Sequence, residues 1–266
     1  MPDQQAGTTA SEHILFERVG AHIALVTLNR PEARNAINAA MTLRLEEIVR
    51  TVEREPELRV AILTASPGKA FCAGADLAEV AAGRGLSLMT AEGGFAGFVH
   101  APRSKPWIAA VHGFAMGGGL EFSLACDMVI AADNAMFGLP EPKRGLVAGA
   151  GGMFRLPRAI PRAIALEMLT TGASIDAKRA YELGLVNRVV AEEQLVAQAI
   201  AMAEQIAANA PLSVRESLAL GRIAAERRED ELWQLSAQVT RRIIACEDSQ
   251  EGSRAFVEKR APVWRG

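Results

Sequence analysis

Residues 107–132 read WIAAVHGFAMGGGLEFSLACDMVIAA, and the order of residue types in this stretch decides the class of fold. Residues 107–111 (WIAAV) are a short apolar, β-prone run. A turn rich in glycine follows, with Gly113, Gly117, Gly118 and Gly119. Residues 120–126 then carry helical character, and residues 128–132 (MVIAA) form another apolar run. Strand, glycine turn, helix and strand in succession predict an α/β organisation.

The same grammar extends in both directions. Upstream, residues 22–29 (HIALVTLN) are β-rich and end at Arg30-Pro31. Met41, Leu43, Leu45, Ile48 and Val49 then recur at helical spacing. Residues 60–64 (VAILT) predict a buried strand that feeds the small-residue loop 68–76. Downstream of Pro157 helices dominate, over 163–171, 177–183, 192–208 and 212–228, with a strand-like 186–190 between them. Residues 78–100 differ: five glycines interleave with Leu86, Met89, Phe95 and Phe98, which predicts a mobile loop or short helix forming a pocket wall.

A chain of 266 residues buries a sizeable core, and its 29 basic and 31 acidic residues leave no basic footprint for nucleic acid. Cys72, Cys126 and Cys246 are odd in number and far apart, so they read as neither a disulfide framework nor a metal cluster. Residues 1–12 read as a flexible tail without a signal-peptide profile. No apolar run reaches the roughly 18 residues of a membrane helix. A cytoplasmic protein that binds neither membrane nor nucleic acid is expected.

Several chemistries lack their motifs. Lys69 is followed by Ala70, so there is no phosphate-binding P-loop, and Phe122 stands where a dinucleotide fingerprint needs its third glycine. G-x-S-x-G, H-E-x-x-H and C-x-x-C do not occur. What remains is two backbone-exposing turns, each opening a helix. Such glycines either permit tight strand–helix packing or present amides that converge on one carbonyl oxygen, each donor being worth roughly 2.7–4 kcal/mol. Glu121, just after the triple glycine, reads either as a solvated helix-dipole carboxylate or as an acid–base group. Glu141, bracketed by Pro140 and Pro142, reads either as a surface-turn acid or as its partner. Spacing does not place the two together.

Residues 110–127 (AVHGFAMGGGLEFSLACD) resemble the signature of the enoyl-CoA hydratase/isomerase, or crotonase, family. So do 69–77 (KAFCAGADL), 137–141 (FGLPE), 29–36 (NRPEARNA) and 251–260 (EGSRAFVEKR), so that the resemblance covers about residues 13–266. It implies an α/β fold, a spiral of ββα turns over 13–200, with a helical region over 201–266 that mediates trimers or hexamers. It implies Ala73 and Gly118 as oxyanion-hole amides, with Glu121 and Glu141 holding the attacking water. Ala33, Arg34, Lys69, Gly74, Ala75, Asp76, Leu77 and Gly117 would line the substrate groove. Lys259 and Phe256 would reach the coenzyme A of the same or a neighbouring subunit. Coenzyme A would be part of the acyl-CoA substrate, with no further cofactor and no metal.

Both glutamates being present, the resemblance implies addition of water to a 2-enoyl-CoA rather than isomerisation of a 3-enoyl-CoA or mere acyl-CoA binding. The 139–141 turn (LPE) and the ending 258–264 (EKRAPVW) are similar to those of carnitinyl-CoA dehydratases, the alternative within the same reaction type. His112 replaces a frequent asparagine and is expected to be structural. Leu139 replaces a common glutamine, and Pro142 stiffens the turn, which leaves the acyl chain open.

Overall fold

The computed structural model describes residues 13–266, so the expected tail lies outside the described residues. An edge hairpin begins the chain, β1 (Ile14–Val19) pairing antiparallel with β2 (Ile23–Leu28). The 16-residue helix α1 (Ala39–Arg54) follows, its first turn capped by the Asn38 side chain accepting from the Met41 amide. Strand β3 (Val60–Ala65) leads through the 68–76 loop into α2 (Leu77–Ala81) and a small hairpin of β4 (Met89–Thr90) and β5 (Gly94–Phe95).

The decisive stretch forms β6 (Trp107–Val111), β7 (Phe114–Met116), α3 (Gly118–Ala125) and β8 (Met128–Ala132). Then come β9 (Met136–Gly138), α4 (Gly152–Ala159), α5 (Arg162–Thr171), β10 (Ser174–Asp176), α6 (Ala177–Glu182) and β11 (Arg188–Val190). Four helices close the chain: α7 (Leu195–Ala207), α8 (Pro211–Ile223), α9 (Glu229–Ile244) and α10 (Glu247–Glu258).

The large sheet has the order β1-β2-β3-β6-β8-β11 and is parallel except at its β1 edge. Its middle strands β3 and β6 are buried at every position because both faces are covered, and the one polar residue among them, Thr64, donates to the Ala110 carbonyl. One face meets α1 and the aromatic cluster of Phe98, Trp107 and Phe122, the other meets α7. After each of β6 and β8 the chain turns into a strand of a second sheet, where β7 and β9 run parallel. Two earlier passes reach the same layer as single bridges, Ile37 to Ala75 and Cys72 to Ala115. The result is a spiral of ββα turns.

Two expectations are corrected. The 200/201 boundary falls inside α7, whose Leu195, Ala199, Met202, Ala203 and Ala207 all pack under the large sheet. The whole helix belongs to the core, and the helical appendage begins at α8. Phe98 is not a pocket wall either. It is fully buried, edge-on to Trp107 at 5.0 Å and to Phe122 at 5.6 Å. The buried Lys105 ties this layer to α1, its Nζ donating at 2.6 Å to the carbonyls of both Val52 and Glu55 at the helix C-terminus. No helix among the described residues is long and apolar enough to cross a membrane.

Candidate active site

Glu121 sits in the first turn of α3, a helix buried along almost its whole length because it is built of glycine and apolar residues. Only 3 % of the residue is exposed. Its Oε1 accepts a hydrogen bond from the Gly152 amide at 2.9 Å, at the start of α4. Burial pushes its pKa up to about 7, and the charge of Glu141 adds to this, against the amides of Gly152 and Ala150 and the charge of Arg155. A carboxylate at a helix N-terminus is ordinarily favoured as the anion. Here desolvation outweighs that field.

Glu141 opens the single turn Glu141–Arg144 that follows β9. It is half-buried, and its Oε2 is enclosed without a hydrogen-bond partner among the described residues. Burial again raises its pKa, opposed by its own backbone amide and by Arg144. Because β7 and β9 are parallel neighbours, the two glutamates leave adjacent strand ends. The Gly117 amide, bonded to the Gly138 carbonyl at 2.9 Å, holds those ends together. Glu141 Oε1 lies 3.0 Å from where a side chain on Gly117 would begin. The result is two carboxyls, both resisting ionisation and each sensing a charged neighbour.

The backbone beside them is equally close. A Cβ on Gly74 would lie 2.9 Å from the Gly118 amide nitrogen and 3.1 Å from the Met116 carbonyl oxygen, and the φ of Gly74 is +91°. Only glycine allows this approach. Gly118 is the first residue of α3, so its amide has no partner within the helix.

The expected second amide is corrected. The Ala73 amide donates to the Arg34 carbonyl at 3.0 Å, and that of Gly74 meets the Cys72 Sγ at 3.4 Å. The Ala75 amide has no acceptor among the described residues. Ala75 and Gly118 are therefore the two amides left to point at a ligand across the Gly74 contact.

The remaining candidates divide. Ala33 and Arg34 lie on the tight turn after β2, Arg34 in the left-handed region and exposed. Lys69 is exposed on the neighbouring loop, and Leu77 is exposed at the start of α2. Asp76 caps α2 through the Ala78 amide at 3.0 Å and pairs with Arg30 at 2.6 Å. Burial acts against its ionisation, yet Arg30 and the cap hold its pKa below the ordinary carboxylate range. Its carboxylate is thus committed to the fold. Phe256 is exposed, and Lys259 ends α10 in the left-handed region. Among the described residues no hydrogen bond or ion pair joins α10 to residues 30–37 or 69–77, so one chain does not bring these two to the groove. His112 is buried with Nε2 unpartnered, and burial lowers its pKa against the pull of Glu192 and Ser66. Among the described residues no hydrogen bond or ion pair ties it to either glutamate.

Sequence reasoning missed Ala75 as a donor, Gly152 as the partner of Glu121, and Arg155 behind it. Three surface cavities of about 650, 670 and 600 Å³ lie elsewhere, along α1, between α4 and α8, and beside the β1–β2 turn. None is lined by either glutamate. Convergent acid–base groups with unpaired amides mark the site better than open volume does.

Residues 18–266 match the model of the family described as enoyl-CoA hydratase/isomerase. The chain is 41 % identical to a carnitinyl-CoA dehydratase of Citrobacter koseri, over 96 % of this chain and 99 % of that one. Among solved structures, an enoyl-CoA hydratase from Mycobacterium tuberculosis is similar with a TM-score of 0.91 and 41 % identity, covering 96 % of this chain and 99 % of that chain. A carnitinyl-CoA hydratase from Mycobacterium avium is similar with a TM-score of 0.76 and 43 % identity, covering 96 % and 98 %.

Proposed function

The chain belongs to the enoyl-CoA hydratase/isomerase family, and from that premise we propose that it adds water reversibly to the double bond of a 2-enoyl-CoA, giving the 3-hydroxyacyl-CoA. The observation that carries this is the pair Glu121 and Glu141, both present and both with raised pKa, beside the unpaired amides of Ala75 and Gly118. The thioester carbonyl would accept from those two amides, which draws electron density from C3 and holds the enolate as it forms. Water held between the carboxyls would attack C3. One carboxyl takes a proton from the water and one delivers a proton to C2, each role being worth about 10²–10⁴ in rate. One carboxyl in the ionised form and the other in the protonated form would together supply the base and the acid.

Coenzyme A enters and leaves with the acyl group, and the reaction asks for no other cofactor. The exposed Trp233, Ile244, Phe256 and Val257 on α9 and α10 are surplus apolar surface, which supports assembly into a homotrimer or a pair of trimers. In such an assembly Phe256 and Lys259 would serve a neighbouring subunit's groove. A cytoplasmic location fits the free, mostly buried thiols of Cys72 and Cys126.

The relatives named carnitinyl-CoA dehydratase and carnitinyl-CoA hydratase favour crotonobetainyl-CoA as a second substrate reading. The test is loss of enoyl-thioester absorbance with crotonyl-CoA, with longer enoyl-CoAs and with crotonobetainyl-CoA. Glu141→Gln is expected to abolish turnover and keep thioester binding, because the amide preserves shape and cannot abstract a proton. Turnover of 3-enoyl-CoA alone would reassign the chain as an isomerase. Binding without turnover of any substrate would reassign it as a non-catalytic acyl-CoA protein.

A further inference from the structure

Glu121 depends on the Gly152 amide, and that amide depends on how the turn before α4 is held. Gly151, which opens the helix, has a φ of +112°. Arg155 lies one turn into α4 and folds its side chain back over this glycine. Its Nη1 is 2.7 Å from where a Gly151 side chain would begin. The guanidinium donates from Nη2 to the Val99 carbonyl at 2.6 Å and from Nη1 to the Ala150 carbonyl at 3.4 Å.

These two anchors belong to different sides of the site. Ala150 is in the turn that presents Gly152 to Glu121. Val99 follows β5, and its amide bonds to the carbonyl of Phe95 at 3.3 Å. The Phe95 ring in turn lies against Gly118, where an added Cβ would meet its Cε1 at 2.5 Å. One side chain therefore braces the glutamate side against the amide side. Both of its bonds go to neutral carbonyls, so its charge is not spent on a direct ion pair there.

We propose that Arg155 is a positioning residue for Glu121: by clamping the 150–152 turn to Val99, it fixes the Gly152 amide on the Glu121 carboxyl. A fork-shaped donor suits two carbonyls held at a fixed angle, a task a lysine fulfils only in part. The charge acts in the same sense as the geometry, favouring the ionised form of Glu121 through space. The charged groups acting on Glu121 are Glu141, from the turn after β9, and Arg155. Those acting on Arg155 are Glu121, the Cys126 thiol at the end of α3, and Arg158 on its own helix, with Arg103 packed nearby.

The kinetic part of the test rests on the hydratase reading, and the spectroscopic part does not. Carbon-13 NMR of side-chain-labelled glutamate, with the Glu121 signal identified by its loss in Glu121→Gln, follows that carboxyl directly. Arg155→Met is expected to raise the Glu121 titration midpoint, and Arg155→Lys to return it only in part. At pH 7 the methionine variant should lose about tenfold or more in kcat with KM within about twofold, and the limb of its pH–rate profile set by Glu121 should move to higher pH. An unchanged Glu121 midpoint in Arg155→Met, or in a second neutral variant such as Arg155→Gln if the first does not fold, overturns the proposal. Wild-type protein inactive on every enoyl-CoA would instead sink the hydratase reading, and the NMR midpoint alone would then decide the role of Arg155.

Discussion

Replacing Glu121 by glutamine is expected to remove activity and to stabilise the fold, by an amount that grows with pH. The carboxyl has a pKa of about 7 in the folded chain, against an ordinary value of 4.5. The folded state therefore holds this proton more tightly than the unfolded chain does. Stability linked to Glu121 is complete below pH 4.5 and is lost as pH rises through the folded pKa. The difference of about 2.5 units, at 1.36 kcal/mol each, is a penalty of about 3 kcal/mol above pH 7. With 3 % of the residue exposed, water screens little of it. Glutamine keeps the shape and an oxygen for the Gly152 amide but never ionises. Urea unfolding at pH 4.5 and pH 8, at one protein concentration, measures the gap. The variant should be nearly level with the wild type at pH 4.5 and about 3 kcal/mol more stable at pH 8. A gap that does not change with pH, or a variant less stable at pH 8, refutes the burial argument.

Gly152→Ala should lower kcat at pH 7 by about tenfold or more and move the limb of the pH–rate profile set by Glu121 upward. The new Cβ would sit 3.1 Å from Glu121 Oε1 and 2.9 Å from the Ala148 Cβ, displacing a bond of roughly 1.5–3 kcal/mol to the charged carboxylate. Gly74→Ala would place a methyl group 2.9 Å from the Gly118 nitrogen and is expected to reduce kcat/KM at least a hundredfold, or about 2.7 kcal/mol, in steady-state assays. Lys105→Ala leaves the Val52 carbonyl without its lysine donor and the Glu55 carbonyl with the Leu58 amide alone, and urea unfolding should show a loss of about 2 kcal/mol or more with little change in KM.

The strands most legible in the sequence were the ones buried on both faces. Residues 60–63, 107–111 and 129–132 are unbroken apolar runs because these positions are all buried. Strand β1 escaped notice for the opposite reason. It is an edge strand, and Glu17 and Arg18 interrupt its pattern on a half-exposed face. Helix α4 was hidden by its flanking glycines and by Pro157 inside it. Phe98 looked like loop because glycines surround it, and only the fold reveals that it packs on Trp107 and Phe122. The two glutamates could be named from the sequence but not brought together. Which alanine of the 69–77 loop offers its amide was not legible at all. Arg34, distant in sequence, takes the amide of Ala73 and leaves that of Ala75.

The meeting of these groups follows from sheet register rather than from any local preference. Cys72 bridges to Ala115, Ala115 pairs with Phe137, and Met116 pairs with Gly138. Three successive turns of the spiral thus cross one layer in step, and each releases its loop at the same edge. The first loop carries Gly74 and Ala75, the second Gly118 and Glu121, the third Glu141. Slipping a strand by one residue would turn Phe137 out of the core, so the hydrophobic cost of a wrong register also protects the geometry of the site. What the ladder does not fix is the 148–152 turn, which touches Glu121 from outside these three passes. That turn holds its shape through three glycines and the guanidinium of Arg155, so it is where the site has least structural redundancy.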